Sequence, residues 1–262
     1  MIYPSKNLCY PVLDPNLSKG LVGYWPLDNQ GGIAYDRSGY GNNGTLVADT
    51  HSVISERGRC LSFDGDGDYV SVANSTLYDF TSEDYSVSFW INTQSLKTTG
   101  TEKLIDKATW NVSGWEIFIS YAAVYHRLYA RTYQSGAIQT SYSYTDLVIN
   151  TWYHVTICRR GSAIDMYINA VNRTQSAGSH IDPASSSDLL AIGASDTGAS
   201  PFLGLLSDVA IFNRDLLVSE VQELYRYGLH KHRDPIELWT AASPTSGTII
   251  PLIQYYNQQA RA

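Results

Sequence analysis

Cysteine is scarce: three in 262 residues, at Cys9, Cys60 and Cys158. An odd number cannot pair completely, and none stands at the CxxC or Cys/His spacing of a metal site. A disulfide-stapled scaffold and a zinc module are thereby excluded. Cys60 in RCLSFDG and Cys158 in HVTICRRG lie in alternating apolar segments, where a free thiol behaves as a small buried hydrophobe. Charge is also scarce, 16% of residues, and 18 basic against 25 acidic side chains leave a net −7 with no run of Lys or Arg. Nucleic acid and anionic membranes are therefore not expected partners, and anionic ligands are disfavoured. No stretch approaches the roughly 20 consecutive apolar residues of a membrane-spanning helix. Met1 to Tyr10 lacks a basic patch followed by an apolar core, so export by a standard signal peptide is not expected.

What is present is enough apolar material, 44%, with 12% aromatic residues, to bury a core without staples. The length fits one large domain with short extras. From about Gly20 to Gly228 the chain consists of short alternating segments separated by Gly, Asn, Asp and Ser clusters, the pattern of many strands with turns between them. Examples are Leu61–Phe63 with Tyr69–Val72, Ser86–Asn92, Trp115–Tyr121, Arg127–Tyr133, Tyr153–Ile157, Asp165–Ile168 and Asp208–Phe212. The gaps are too short for helical crossovers, so the sheets are predicted antiparallel. Asp64–Asp68 reads as a hairpin turn with glycine at positive φ. One helix is predicted over Val218–Tyr227, where Val218, Val221, Leu224 and Tyr225 recur at helical spacing and Gly228 fits the left-handed stop. Residues 1–19, with three prolines, read as an extended arm. Residues 229–262, with prolines at 235, 244 and 251, carry isolated apolar islands and read as a docking tail.

Several of these segments together resemble a known family. They are Gly20-Leu-Val-Gly-Tyr-Trp-Pro-Leu-Asp28, Tyr35-Asp-Arg-Ser-Gly-Tyr-Gly-Asn-Asn-Gly-Thr-Leu46, Leu61-Ser-Phe-Asp-Gly65 with Asp68-Tyr-Val-Ser-Val72, and Tyr85-Ser-Val-Ser-Phe-Trp-Ile91. Further along come Thr151-Trp-Tyr-His-Val155, Met166-Tyr-Ile-Asn169, Ile192-Gly-Ala194 and the run Phe202–Leu216. In this order they resemble the laminin-G-like jelly roll of the concanavalin A-like lectin and glucanase superfamily. The resemblance implies a two-sheet antiparallel sandwich with one short C-terminal helix. Trp25, Trp90 and Trp152 sit inside alternating strands, where a tryptophan is more often a core anchor than a ligand platform. The resemblance also implies an optional calcium at the sandwich edge, for which Asp36, Asn42 and Asp208 are the candidate ligands; Ser207 stands where the family usually has an acid. No cofactor is required.

Glucanases on this fold carry Glu-x-Asp-x-x-Glu on one strand, because retaining hydrolysis holds two carboxylates roughly 5 Å apart. No strand here has that pattern; Glu116 has no carboxylate two or four residues away. No GxSxG elbow occurs, and His126, His154 and His180 lie in no catalytic context. The chain reads as non-enzymatic. A glycan site is expected at Trp110, Tyr129, Arg131 and Tyr133: the last three share a strand face opposite Leu128 and Ala130, and sugars are held by flat aromatic faces with fixed donors.

The terminal arms around one jelly roll, with Asp14-Pro-Asn-Leu-Ser-Lys-Gly at one end and Asp234-Pro-Ile-Glu-Leu-Trp239 at the other, resemble laminin-G-like proteins encoded by tailed bacteriophages. The resemblance implies a virion-associated structural or decoration protein, made in the host cytoplasm. Its arms would bind other virion proteins or copies of itself, and its outward domain would bind host-surface glycans. The alternative is a free carbohydrate-binding module or adhesin domain of a larger cellular protein. An atypical glycosidase would need carboxylates converging from different strands.

Overall fold

In a computed structural model, residues 15–28, 31–122, 125–176 and 179–231 are described. The chain runs α1 (Pro15–Ser18), β1 (Leu21–Trp25), β2 (Ile33–Ala34), β3 (Gly44–Val47), β4 (His51–Ser55), β5 (Gly58–Asp64) and β6 (Tyr69–Val72). It continues through β7 (Tyr85–Thr93), β8 (Thr99–Thr109), β9 (Ser113–Ala122), β10 (Tyr125–Gln134), β11 (Ala137–Asp146), β12 (Trp152–Arg160) and β13 (Ala163–Ile168). Last come β14 (Val171–Asn172), β15 (Thr174–Ser176), β16 (Leu190–Ile192), β17 (Leu203–Phe212) and α2 (Val218–Lys231).

The strands form two antiparallel sheets, as alternation and short gaps predict. One has the order β14-β13-β12-β7-β17-β5-β4, with β1 added on β17; the other has the order β15-β11-β10-β9-β8-β16-β6-β3-β2. Trp25, Phe63, Phe89, Ile91, Trp115, Ile117, Val155 and Ile211 meet between them in the main core, each large apolar side chain gaining about 1.5–3 kcal/mol on burial. All nine residues of β7 are buried, because both of its faces are covered. Val87, Phe89 and Ile91 face the other sheet, while Ser86 receives Leu216 N–H and donates to Arg214 O on the side facing α2. Beneath α2 lies a second cluster containing Leu17, Leu21, Cys158, Phe212, Leu216, Val221 and Leu224. Cys60 and Cys158 are free and buried; Cys9 lies outside the described residues.

Three local expectations change. Asp64–Asp68 is no hairpin: β5 and β6 belong to different sheets. The segment is a crossover, with positive φ at Gly65 and Gly67, and buried Asp68 ties it down by accepting Asp49 N–H (2.7 Å) and Asp64 N–H (2.9 Å). The helix does not stop at Gly228 but continues to Lys231, and Gly228 is needed for close packing on Trp90. Within the N-terminal arm, Pro15–Ser18 forms a helical turn that buries Leu17; proline suits the first turn of a helix, where its missing N–H is not needed. Residues 1–14 and 232–262, which hold the remaining arm and tail assignments, lie outside the described residues.

Candidate functional site

β8, β9, β10 and β11 are successive antiparallel neighbours, so alternate residues of each share a face. On β10 Leu128 and Ala130 point into the core, which leaves Tyr125, Arg127, Tyr129, Arg131 and Tyr133 on the outer face. The register sets two rows across these strands. One runs Asp106, Glu116, Arg131, Thr140; the other runs Lys103, Phe118, Tyr129, Tyr142. Lys103 and Asp106 are three residues apart and would normally face opposite ways. A bulge between Lys103 and Ile105 brings both to the same side.

The polar row is closed by side chains. Lys103 Nζ donates to Asp106 Oδ1 at 3.1 Å and to Glu116 Oε2. Glu116 is fully buried, and its Oε1 accepts from Arg131 Nη1 (3.1 Å) and Tyr133 OH (2.6 Å). Arg131 Nε donates to Thr140 Oγ1 at 3.1 Å. Burial opposes the Lys103 charge, but Asp106 and Glu116 outweigh it and raise its pKa. Burial raises Asp106 above the ordinary carboxylate range; Lys103 opposes the shift and Glu116 adds to it. Burial beside Glu116 likewise pushes the Tyr133 hydroxyl up.

The aromatic row is a stack. Phe118 and Tyr129 lie 5.2 Å apart at 22°, and Tyr129 and Tyr142 lie 5.2 Å apart at 23°. Nearly parallel rings at that spacing cover one another's faces, so Tyr129 presents its edge and hydroxyl outward. The open aromatic face is Trp110, 61% exposed in the β8–β9 turn. It meets Tyr133 edge-on at 5.6 Å and has the Arg131 guanidinium 5.3 Å from its ring. The turn is braced by its neighbour: Ser135 N–H donates to Val112 O (2.8 Å) and Gly136 N–H to Asn111 O (2.9 Å).

Of the expected glycan-site residues, Trp110, Arg131 and Tyr133 therefore meet, with Tyr129 one row away. Two expected roles are corrected. Tyr133 is fully buried and spends its hydroxyl on Glu116, and Tyr129 has no free ring face. Lys103, Asp106, Phe118, Thr140 and Tyr142 escaped the sequence reading, and Glu116 was weighed there only as a lone catalytic carboxylate, since the register that unites them is set by tertiary pairing.

The calcium candidates are held differently. Asp36 accepts Tyr24 N–H (3.0 Å) and Ser38 N–H (2.8 Å) on Oδ1, and Asn42 N–H (2.9 Å) on Oδ2. Asp208 accepts the Tyr24 hydroxyl at 2.9 Å and the Ser207 hydroxyl at 3.2 Å. Asp36 and Asp208 thus hold the backbone and side-chain ends of Tyr24, and among the described residues no group of three or more His, Cys, Asp or Glu is gathered to hold a metal. A calcium ion here would have to take over carboxylate oxygens that these donors now occupy.

Of the expected core anchors Trp25 and Trp90 hold, whereas Trp152 is only half-buried. Trp25 and Trp90 are buried, and Arg57 lies 3.3 Å from the Trp90 ring centroid and 5.6 Å from that of Trp152. His154 is buried beside Trp90 and Tyr225, with Nε2 2.9 Å from Ser88 Oγ. Burial, reinforced by Arg57, lowers its pKa to about 3. His180 is held on both nitrogens, by Thr132 Oγ1 at 2.9 Å and Ser141 Oγ at 2.8 Å.

Two twisted antiparallel sheets closed over one core, with a short helix packed on one of them, define a concanavalin A-like sandwich. The Laminin_G_3 model of the concanavalin A-like lectin/glucanases superfamily matches residues 64–222, more than half of the chain, and the chain belongs to that family. No curated protein sequence matches it significantly. Among solved structures it is similar to the binding domain of Paraclostridial Mosquitocidal Protein 1, at 19% identity and TM-score 0.64, over 80% of this chain and 52% of that one. It is similar to the receptor binding domain of botulinum neurotoxin D at 19% identity and TM-score 0.63, over 80% and 53%. The chain thus spans about half the length of these two domains. Domain 4 of AbnA, an extracellular arabinanase from Geobacillus stearothermophilus solved with arabinotriose, matches at 19% identity and TM-score 0.60, over 78% of this chain and 98% of that one.

Proposed function

We propose that the chain is a non-catalytic glycan-binding jelly roll that contacts its ligand on the outer face of β8–β11. The observation that carries this reading is the exposed Trp110 ring beside Arg131, whose guanidinium is fixed by Glu116, Tyr133 and Thr140. An apolar plane beside a pre-oriented donor suits a sugar ring, with CH groups on one side and hydroxyls around it. The domain of similar fold solved with arabinotriose supports the class of ligand. The non-catalytic part is supported by the carboxylates. Asp106 and Glu116 do converge from different strands, but Lys103 is bonded to both and both are buried. Hydrolysis needs one carboxyl group free as acid and another free as nucleophile or base.

The finer reading is a virion-attached decoration protein of a bacteriophage, synthesised in the host cytoplasm and joined to other virion proteins or to copies of itself by its terminal segments. It rests on the proline-rich ends of the sequence. Neither metal nor cofactor is required in this reading; Asp36, Asn42 and Asp208 remain the calcium candidates, and a calcium-dependent rise in melting temperature would recruit them.

The test is a glycan array probed with the full chain and with Trp110→Ala, alongside reducing-sugar release from the same glycans. Binding lost in the variant, with no release, supports the reading. Release of reducing ends, or binding unchanged by Trp110→Ala, overturns it. Co-sedimentation with virions, full-length against a chain lacking residues 1–14 and 232–262, tests the attachment.

A further inference from the structure

The same face has a charge that the whole-chain balance conceals. Although the chain carries a net −7, its outer face over β8–β11 gathers Lys103, Arg127, Arg131 and, beside β11, Arg173. Arg127 is 22% exposed and bonded to Asp146 at 3.0 Å, with its guanidinium 4.1 Å from the Tyr125 ring. Arg173 donates to the Tyr144 hydroxyl at 3.2 Å and lies 5.5 Å from that ring; among the described residues it has no acidic partner. Arg131 binds inward through Nε and Nη1, and its side chain remains 18% exposed, leaving Nη2 for a ligand. Against these four cations stand Asp146, Glu116 and Asp106, with Asp196 close enough to act on Asp106; of the four cations, Arg173 has no carboxylate bonded to it among the described residues.

The cations are interleaved with tyrosines. Along β10 the outward side chains alternate Tyr125, Arg127, Tyr129, Arg131, and strand geometry places Arg127 and Arg131 about 13 Å apart. That spans more than one sugar residue of an extended polysaccharide, and is too long for one small anion.

We infer that the ligand of this face is an acidic polysaccharide of the carboxylated, uronate-containing class, lying along β10 with its carboxylates on Arg127, Arg131 and Arg173. The inference rests on the glycan-binding reading and narrows it. Guanidinium–carboxylate bonds are charge-assisted and directional, while the tyrosine hydroxyls and Trp110 serve the uncharged parts of each sugar.

The experiment is titration calorimetry of the full chain with polygalacturonate, alginate and hyaluronate oligomers. Fully methyl-esterified polygalacturonate, of the same backbone but uncharged, is the control, together with a neutral panel of arabinan and dextran oligomers and a single-stranded oligonucleotide. The expected result is binding of at least one uronate oligomer. Esterification or a rise from 50 to 500 mM NaCl should weaken it at least tenfold, as should Arg173→Gln combined with Arg127→Gln, a pair outside the buried network. Arg131→Gln should also weaken it, with folding checked by circular dichroism. Equal affinity for acid and ester, or binding confined to the neutral panel, overturns this inference and leaves glycan binding standing. Silence across both panels overturns both. Tighter binding of the oligonucleotide than of any uronate overturns the inference in favour of a nucleic-acid surface.

Discussion

Gly228 meets the indole of Trp90 so closely that a Cβ at that position would fall inside van der Waals contact of Nε1, Cε2 and Cζ2. The other side of the contact is equally committed. Arg57 stacks on Trp90 and donates from Nη2 to Gly228 O at 2.6 Å, so the ring cannot retreat. Gly228→Ala should therefore destabilise the domain by about 1–3 kcal/mol through overpacking, despite the gain of about 1 kcal/mol in helix propensity. Urea unfolding gives the number, and Gly228→Ala in a Trp90→Phe background should cost less than in the native one.

Trp110 and Tyr133 touch, yet their substitutions should separate binding from stability. Trp110→Ala removes an exposed ring, so unfolding should change by no more than about 0.5 kcal/mol while glycan affinity falls at least tenfold. Tyr133→Phe removes the hydroxyl held by Glu116. It should cost about 1–3 kcal/mol while the Trp110 surface remains.

His180 offers a pH signature. Burial, with Arg159 adding to it, depresses its pKa to about 4 in the folded state, against about 6.5 in an unfolded chain. The unfolded state thus binds more protons between these values, and stability falls as pH drops from 6.5 to 4. His154, at about 3, adds a loss of the same sign. His180→Asn keeps polar partners for Thr132 and Ser141 but removes one titration. From pH 6 to 4.5 its unfolding free energy should fall less steeply than the native protein's, by about 1.4 kcal/mol per pH unit.

Leu17 is 1% exposed in the cluster beneath α2. Leu17→Ala should cost about 2–4 kcal/mol. A shift in the melting temperature of only a degree would show that the domain begins at Gly20 after all.

The fold was legible because its strands write their period into the sequence. β7, β9, β10, β12 and β13 alternate or run apolar, and each was anticipated. β8 was not. Its segment TGTEKLIDKAT carries four charges: Lys103 and Asp106 pair within the strand, Glu102 pairs with Lys97 just before it, Lys103 also reaches Glu116 on β9, and Lys107 is held by the Ser186 and Asp188 carbonyls. Lys103 and Asp106 of the candidate site went unseen with it. Arg131 and Trp110 were found from residue type alone, whereas the burial of Tyr133 and the stacking of Tyr129 depend on Glu116, Phe118 and Tyr142, which only register brings near. Gly228 misled because a glycine at the edge of a helical pattern reads as a stop, and nothing local reveals a tryptophan from β7 against it.

The pairing of β1 with β17, Leu21 opposite Phe212, also sets a timetable. β1 leaves the ribosome long before its partner, which lies almost at the domain's other end. At about 5–20 residues per second it waits some 10–40 s before that partner exists. During that interval Val22 and Trp25, both destined for the core, have no β17 to cover them. The nascent chain is thus most open to capture by chaperones or sister chains before synthesis reaches Phe212, and closure of this sheet is a late event of folding rather than its nucleus.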